Sequence, residues 1–232
     1  GDRDEDALLK MIEEALEARV IEETEQAGRY RFTHAQMQET LLAELSTTRR
    51  VRLHGQVGEA LEKRYGTRAD ERAGRLAMHF SEAATLSPRF GEKSAKYSAI
   101  AGRQALEQSA YPEAARHFRA ALSAREGQEM DAEMAELLFD LGKAALSTAQ
   151  VTEAWRSFRQ AFEFYAKRGD VKSAAEVAYA AGSHPLLLRR SQTQLIERAL
   201  EIVEQGGADY GWLNAALGLS AAMLGDEVAG RE

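Results

Sequence analysis

The chain has 232 residues, 44% of them hydrophobic and 29% charged, enough to bury a core as one elongated array or as two small domains. It contains no cysteine, which excludes disulfides, thiolate metal sites, iron–sulfur clusters and cysteine nucleophiles. A net charge of −7 argues against a general nucleic-acid or anionic-membrane surface, and three prolines in a chain rich in Ala, Leu, Glu and Arg give the composition of a helical protein.

Leu8, Leu9, Ile12, Ala15 and Leu16 recur at helical spacing and predict a first helix over residues 6–19. Two short β-like runs follow, 20–24 and 29–32, flanking Glu25-Gln26-Ala27-Gly28 as a hairpin turn. Thr33 and Gln36 have the spacing of a capping box, so the next helix is expected to start there with Met37, Leu41, Leu42 and Leu45 on one side. Helix, hairpin, helix is the back half of a winged-helix module, here residues 1–48. Its front half is missing, so the sequence reads as a piece of a larger protein. A connecting helix is expected over 49–67, and helical repeats, cut off at the C-terminal end, over 68–232.

The prolines read as boundary markers. Pro88 lies between two helical stretches, Pro112 suits the first turn of a helix, where its missing N–H costs nothing, and Pro185 breaks a third run. Between them the chain repeats itself. Gly102, Ala105, Tyr111, Ala114, Phe118, Ala121 and Leu122 have counterparts 40 residues on in Gly142, Ala145, Val151, Ala154, Phe158, Ala161 and Phe162. Two helices that cross closely need Gly or Ala where their backbones meet, and an aromatic on the second helix fills the groove. This is the tetratricopeptide (TPR) pattern, whose unit is about 34 residues; the polar stretch 126–131 is the place for the additional residues. Weaker copies are expected over 68–102, with Leu76, Ala77, Phe80 and Ala83 buried, over 171–203, with Ala199 and Leu200 at the end of its second helix, and from Leu217-Gly218 through Gly225-Asp226. The fold class expected is thus mainly α, a TPR-like right-handed α-α superhelix preceded by a partial winged helix with a short β-hairpin.

Gly28-Arg29-Tyr30-Arg31-Phe32-Thr33-His34 with Glu39 and Leu41 resembles the segment that closes the winged helix in STAND-class P-loop ATPases, the MalT-like and large LuxR-type bacterial regulators. Arg49–His54 and Val57–Glu62 are similar to their connecting helix, and Leu76–Phe80 and Tyr111–Ala115 to the start of their sensor repeats. The resemblance implies a cytoplasmic sensor or interaction segment of an ATP-dependent transcriptional regulator, holding a protein or peptide partner or a small effector on its repeats and docking an ATPase core. The alternatives are the regulatory TPR region of a signalling enzyme, an adenylate cyclase or a kinase, and a free-standing TPR adaptor. ATP is expected only in an upstream domain. This sequence has no Gly-x-x-x-x-Gly-Lys-Ser/Thr loop, and Gly91-Glu92-Lys93-Ser94 lacks the upstream glycine.

No catalytic, cofactor or metal site is expected. No Gly-x-Ser-x-Gly elbow occurs, no apolar run reaches 18 residues, and His34, His54, His79, His117 and His184 are scattered without metal-ligand spacing. His34 is expected at the hairpin–helix junction. Arg49, Arg50, Arg52 and His54 form a basic cluster, but Glu13, Glu14, Glu17, Glu22, Glu23 and Glu25 surround the wing with negative charge, so direct DNA binding is not expected. The candidate partner-binding residues lie on the first helix of each pair: Lys96, Ala99, Arg103 and Leu106, then Glu136, Phe139, Lys143 and Leu146. Among these Lys96, Arg103, Phe139 and Lys143 are the candidates, with Arg103 and Lys143 suited to a carboxylate or acidic peptide. Trp155, Tyr165 and Tyr179 are expected in inter-helix packing.

Overall fold

The structure, a computed structural model, describes residues 2–26, 28–182 and 190–224. These are mainly helical, with one two-stranded sheet, and the chain divides into two units, residues 1–53 and 54–232.

In the first unit α1 (Asp2–Glu17) closes through a left-handed residue, Arg19 (φ +54°). The Val20 N–H donates to the Ala15 carbonyl at 3.0 Å and turns the chain into the hairpin. Strands β1 (Ile21–Glu23) and β2 (Tyr30–Phe32) pair antiparallel, Ile21 opposite Phe32 and Glu23 opposite Tyr30, as the β-like runs predict. The capping box does not form. Thr33 Oγ1 donates instead to the Arg19 carbonyl at 2.6 Å, fastening the hairpin to the end of α1, and α2 (Ala35–Glu44) starts from His34 with no side-chain cap. With His34 at the N-cap, Thr33 stands one residue before the position from which its hydroxyl would accept from the first turn of α2. No residue of α2 is buried, and Leu8, Leu9, Met37, Leu41 and Leu42 are exposed, so this unit leaves apolar surface open.

The division between units falls within α3 (Thr47–Tyr65). The second unit continues with α4 (Ala73–Ala83), α5 (Pro88–Glu107), α6 (Tyr111–Ser123), α7 (Ala132–Ser147), α8 (Val151–Arg168), α9 (Val171–Gly182), α10 (Arg190–Ile202) and α11 (Ala208–Leu224). Pro88 opens α5 and Pro112 is the second residue of α6; His184, Pro185, Gly225 and Asp226 lie outside the described residues. Leu76, Ala77, Phe80 and Ala83 are buried in α4, as expected.

The 40-residue offset has a three-dimensional counterpart. A Cβ on Gly102 would stand 2.6 Å from the Phe118 ring, and one on Gly142 would stand 2.5 Å from Phe158, so each α5–α6 and α7–α8 hairpin closes on a bare α-carbon. The turns match as well. Ser109 and Ala149 both adopt φ +58°, and the following N–H groups, of Ala110 and Gln150, donate to Ala105 and Ala145 at 2.8 Å. This is the bond pattern that ends helices in a left-handed residue. A third copy follows 40 residues further on. Gly182 of α9 faces Ile196 of α10, whose Cγ1 would be 2.7 Å from a Cβ there, so an aliphatic side chain fills the place of the aromatic. Ala199 is buried and Leu200 is packed beside it, as expected.

The longer repeat is accommodated between α6 and α7. The Asp131 carboxylate caps α7 by accepting the Met134 N–H at 2.9 Å. The Arg125 guanidinium reaches back to Asp131 at 2.5 Å and Glu133 at 2.8 Å. Successive pairs are also joined by charge, Arg119 of α6 gripping Glu153 of α8 and Arg198 of α10 gripping Glu163 of α8.

Candidate functional site

Helix α5 adjoins α7, and α9 adjoins α11, so the first helices of successive pairs contribute to one face. Of the four candidate residues, three come together there. Arg103 of α5 donates to Glu136 at 3.0 Å and stands 3.7 Å from Asp140, both on α7. Lys143, one turn on, binds the other Asp140 oxygen at 2.6 Å and places its ammonium 4.5 Å from the Phe139 ring centroid. Asp140, largely buried at 15% side-chain exposure, therefore answers both basic residues. The paired cations expected to hold an external carboxylate already have internal ones. Lys96 is separate from this cluster, its ammonium 4.9 Å from the Tyr97 ring centroid.

Further along the face Phe139, Tyr179 and Trp212 wall a cleft of about 350 Å³, floored by Ala175 and Leu213 and rimmed by Glu176 and Asp209. The Tyr179 and Trp212 rings lie 5.6 Å apart, tilted by 50°. Tyr179 is 38% and Trp212 64% exposed. Tyr179 thus packs between helices through Trp212 but stays exposed, whereas Tyr165 is buried and Trp155 packs against the core. The field on this side is negative: burial first, then the carboxylates of Glu136, Asp170, Asp140 and Glu176, push the Tyr165 phenol above its ordinary range. Phe139 and Tyr179 share the 40-residue offset, a signal that could have paired them. Trp212 had none, because α11 is apolar on most sides and its periodicity is weak.

A second, larger groove of about 670 Å³ runs along α8 against the α6–α7 linker, with Phe164, Met130, Arg159, Lys167 and Arg168 on its walls. Its rim carries both signs, since Glu129 and Glu163 stand among the cations, and Glu163 is already held by Arg198 in a two-point pair.

The histidines are less scattered than their spacing implies. His54 and His79 bring their Nδ1 atoms to 3.2 Å. Burial first, then His54 and Arg75, hold His79 below the usual histidine range. His117 lies 3.5 Å from Glu113, four residues earlier, an i, i+4 helical spacing; burial first, then Arg116, lower its pKa against the opposing pull of Glu113. His34 stands at the hairpin–helix junction, as expected, though its side chain makes no cap bond. Near α3, Glu62 accepts from Tyr97 at 2.7 Å and from Lys93. Burial raises the Glu62 pKa, but these two bonds outweigh it and hold the group below its ordinary value. Arg49, Arg50 and Arg52 are exposed. Among the described residues no three His, Asp or Glu side chains converge as metal ligands, and no helix is long and apolar enough to cross a membrane. No protein-family model matches the chain, and no curated protein matches its sequence.

Proposed function

We propose that this chain is the sensor and interaction segment of an ATP-dependent, STAND-type LuxR-like transcriptional regulator of the cytoplasm. It is non-catalytic itself and takes a protein partner on the face formed by the first helices of its pairs. The pairs wind as a TPR-like right-handed superhelix, and residues 1–48 are the remnant of a winged helix. One observation carries the reading. The repeat closes each hairpin internally, at Gly102–Phe118 and Gly142–Phe158, while Phe139, Tyr179 and Trp212 stand with charged groups around an open cleft. Aromatic rings half out of the core, beside unpaired charge, are what a recognition surface presents. The exposed Leu8, Leu9, Leu41 and Leu42 give the first unit an apolar surface of the kind a docked ATPase core would cover.

Site-specific photo-crosslinking in the full-length regulator tests this. A crosslinking residue at Ala180, beside Tyr179, is expected to capture a saturable protein partner, and one at Arg156, on exposed α8 surface, is not. Capture at equal yield from both positions, or from neither, overturns the reading.

A further inference from the structure

The paired and unpaired charges on the first-helix face identify what it binds. Arg103 and Lys143 are engaged by Glu136 and Asp140. Glu176 and Asp209 make no ion pair among the described residues, and both sit on the rim of the cleft walled by Phe139, Tyr179 and Trp212. Two carboxylates are thus left without a counter-charge at a small, aromatic-walled opening.

The walls of the cleft also favour a cation. An aromatic ring attracts a cation to its face, most strongly for Trp and when water is excluded, and Trp212 is the most exposed large hydrophobic side chain of the described residues. A planar guanidinium does what a compact ammonium does not: it stacks flat on a ring and offers its N–H groups edgewise to carboxylates. The cleft, at about 350 Å³, lies at the small end of ligand sites, a size for one side chain rather than for a folded surface. Lys143 lying over Phe139 at 4.5 Å is the same chemistry already satisfied within the chain, on the wall of the same opening.

We propose that this cleft receives the guanidinium of an arginine side chain from an extended segment of a partner protein, stacked on Tyr179 and Trp212 and bonded to Glu176 and Asp209. The inference rests on the reading of this face as the partner-binding face. It reverses the sign of the ligand expected from Arg103 and Lys143: the segment is basic at this position.

The chain has two tryptophans, Trp155 and Trp212, so its ¹⁵N spectrum offers two indole N–H signals, assigned with Trp212→Phe. Titration of the unaltered chain with an acetylated, amidated Gly-Arg-Gly peptide is expected to shift the Trp212 signal saturably and leave that of Trp155 in place. The citrulline peptide, which keeps the shape and loses the charge, should bind about tenfold more weakly, and the lysine peptide should fall between the two. Glu176→Gln with Asp209→Asn should weaken the arginine peptide by about tenfold, and free guanidinium at equal concentration should bind less well than the peptide if a protein segment is the occupant. Equal binding of arginine and citrulline peptides overturns the inference, as does a Trp212 signal that no arginine peptide moves. If a Gly-Asp-Gly peptide binds instead and Arg103→Ala abolishes it, the face remains the partner site and only the charge assignment fails. If no peptide binds and Ala180 also captures nothing, both readings fail together.

Discussion

Gly142 presents a bare α-carbon to the edge of Phe158, so close that a methyl group there would lie 2.5 Å from the ring. Phe158 is fully buried and cannot swing aside. Gly142→Ala is therefore expected to destabilise the protein by about 1–3 kcal/mol through overpacking, and Gly102→Ala, set against Phe118, by a similar amount. Gly218→Ala is the matched control. It lies within α11 with nothing inside 4 Å of the added carbon and should gain up to about 1 kcal/mol from helix propensity. Urea unfolding midpoints read the difference, and equal effects at all three positions would contradict the close-contact account.

The His54–His79 pair makes stability sensitive to mild acid. The folded chain holds His79 below the ordinary histidine value of 6.5, so the unfolded state takes up a proton first as pH falls. The stability is present above about pH 6.5 and is lost progressively as pH drops through the folded pKa. His117 acts in the same direction. The unfolding midpoint should fall between pH 7.5 and 5.5, and His79→Gln should remove part of that fall. An unchanged slope in the variant would separate the pair from the effect.

Asp131 caps α7 and anchors the linker from α6. Burial raises its pKa, but the Met134 N–H and the Arg125 guanidinium prevail and hold it below 3.8, so its contribution persists above that value and disappears in stronger acid. Asp131→Ala should cost about 1 kcal/mol, whereas Asp131→Asn should retain part of the cap and lose the ion pair. Thermal unfolding at neutral pH ranks the three forms, and no difference between them would show the cap to be idle.

Nucleotide binding offers a different test. The sequence has no phosphate-cradling loop, and titration calorimetry with ATP and magnesium is expected to give no binding heat. A micromolar dissociation constant would refute the assignment of the chain as the non-nucleotide part of its regulator.

The hairpins were legible because proline, glycine and an aromatic at fixed spacing act locally. Pro88 and Pro112 stand in the first turns of their helices, and the glycines 40 residues apart lie at close helix contacts, each facing the ring of its partner helix. The third glycine, Gly182, escaped notice because its partner is Ile196 rather than an aromatic and comes two residues early. Thr33 has the capping-box spacing but not the place, because α2 starts one residue later, from His34, and the Thr33 hydroxyl donates to the Arg19 carbonyl. The charge of the partner face could not be read at all from one helix at a time. Asp140 precedes Lys143 by three residues, a contact visible in the sequence, yet its approach to Arg103 depends on which helix lies alongside. Among the described residues Glu176 and Asp209 have no ion-pair partner, and the nearby cations Arg103 and Lys143 are already engaged.

Ser109 and Ala149 end the first helices of their pairs in twin turns. Both residues hold φ +58°, a backbone region that disfavours L side chains and suits their mirror images. A D-alanine at position 149 would find there its own preferred geometry, and unlike glycine it would still restrict the unfolded chain. Each hairpin thus contains one position where the opposite handedness would make an otherwise all-L protein more robust.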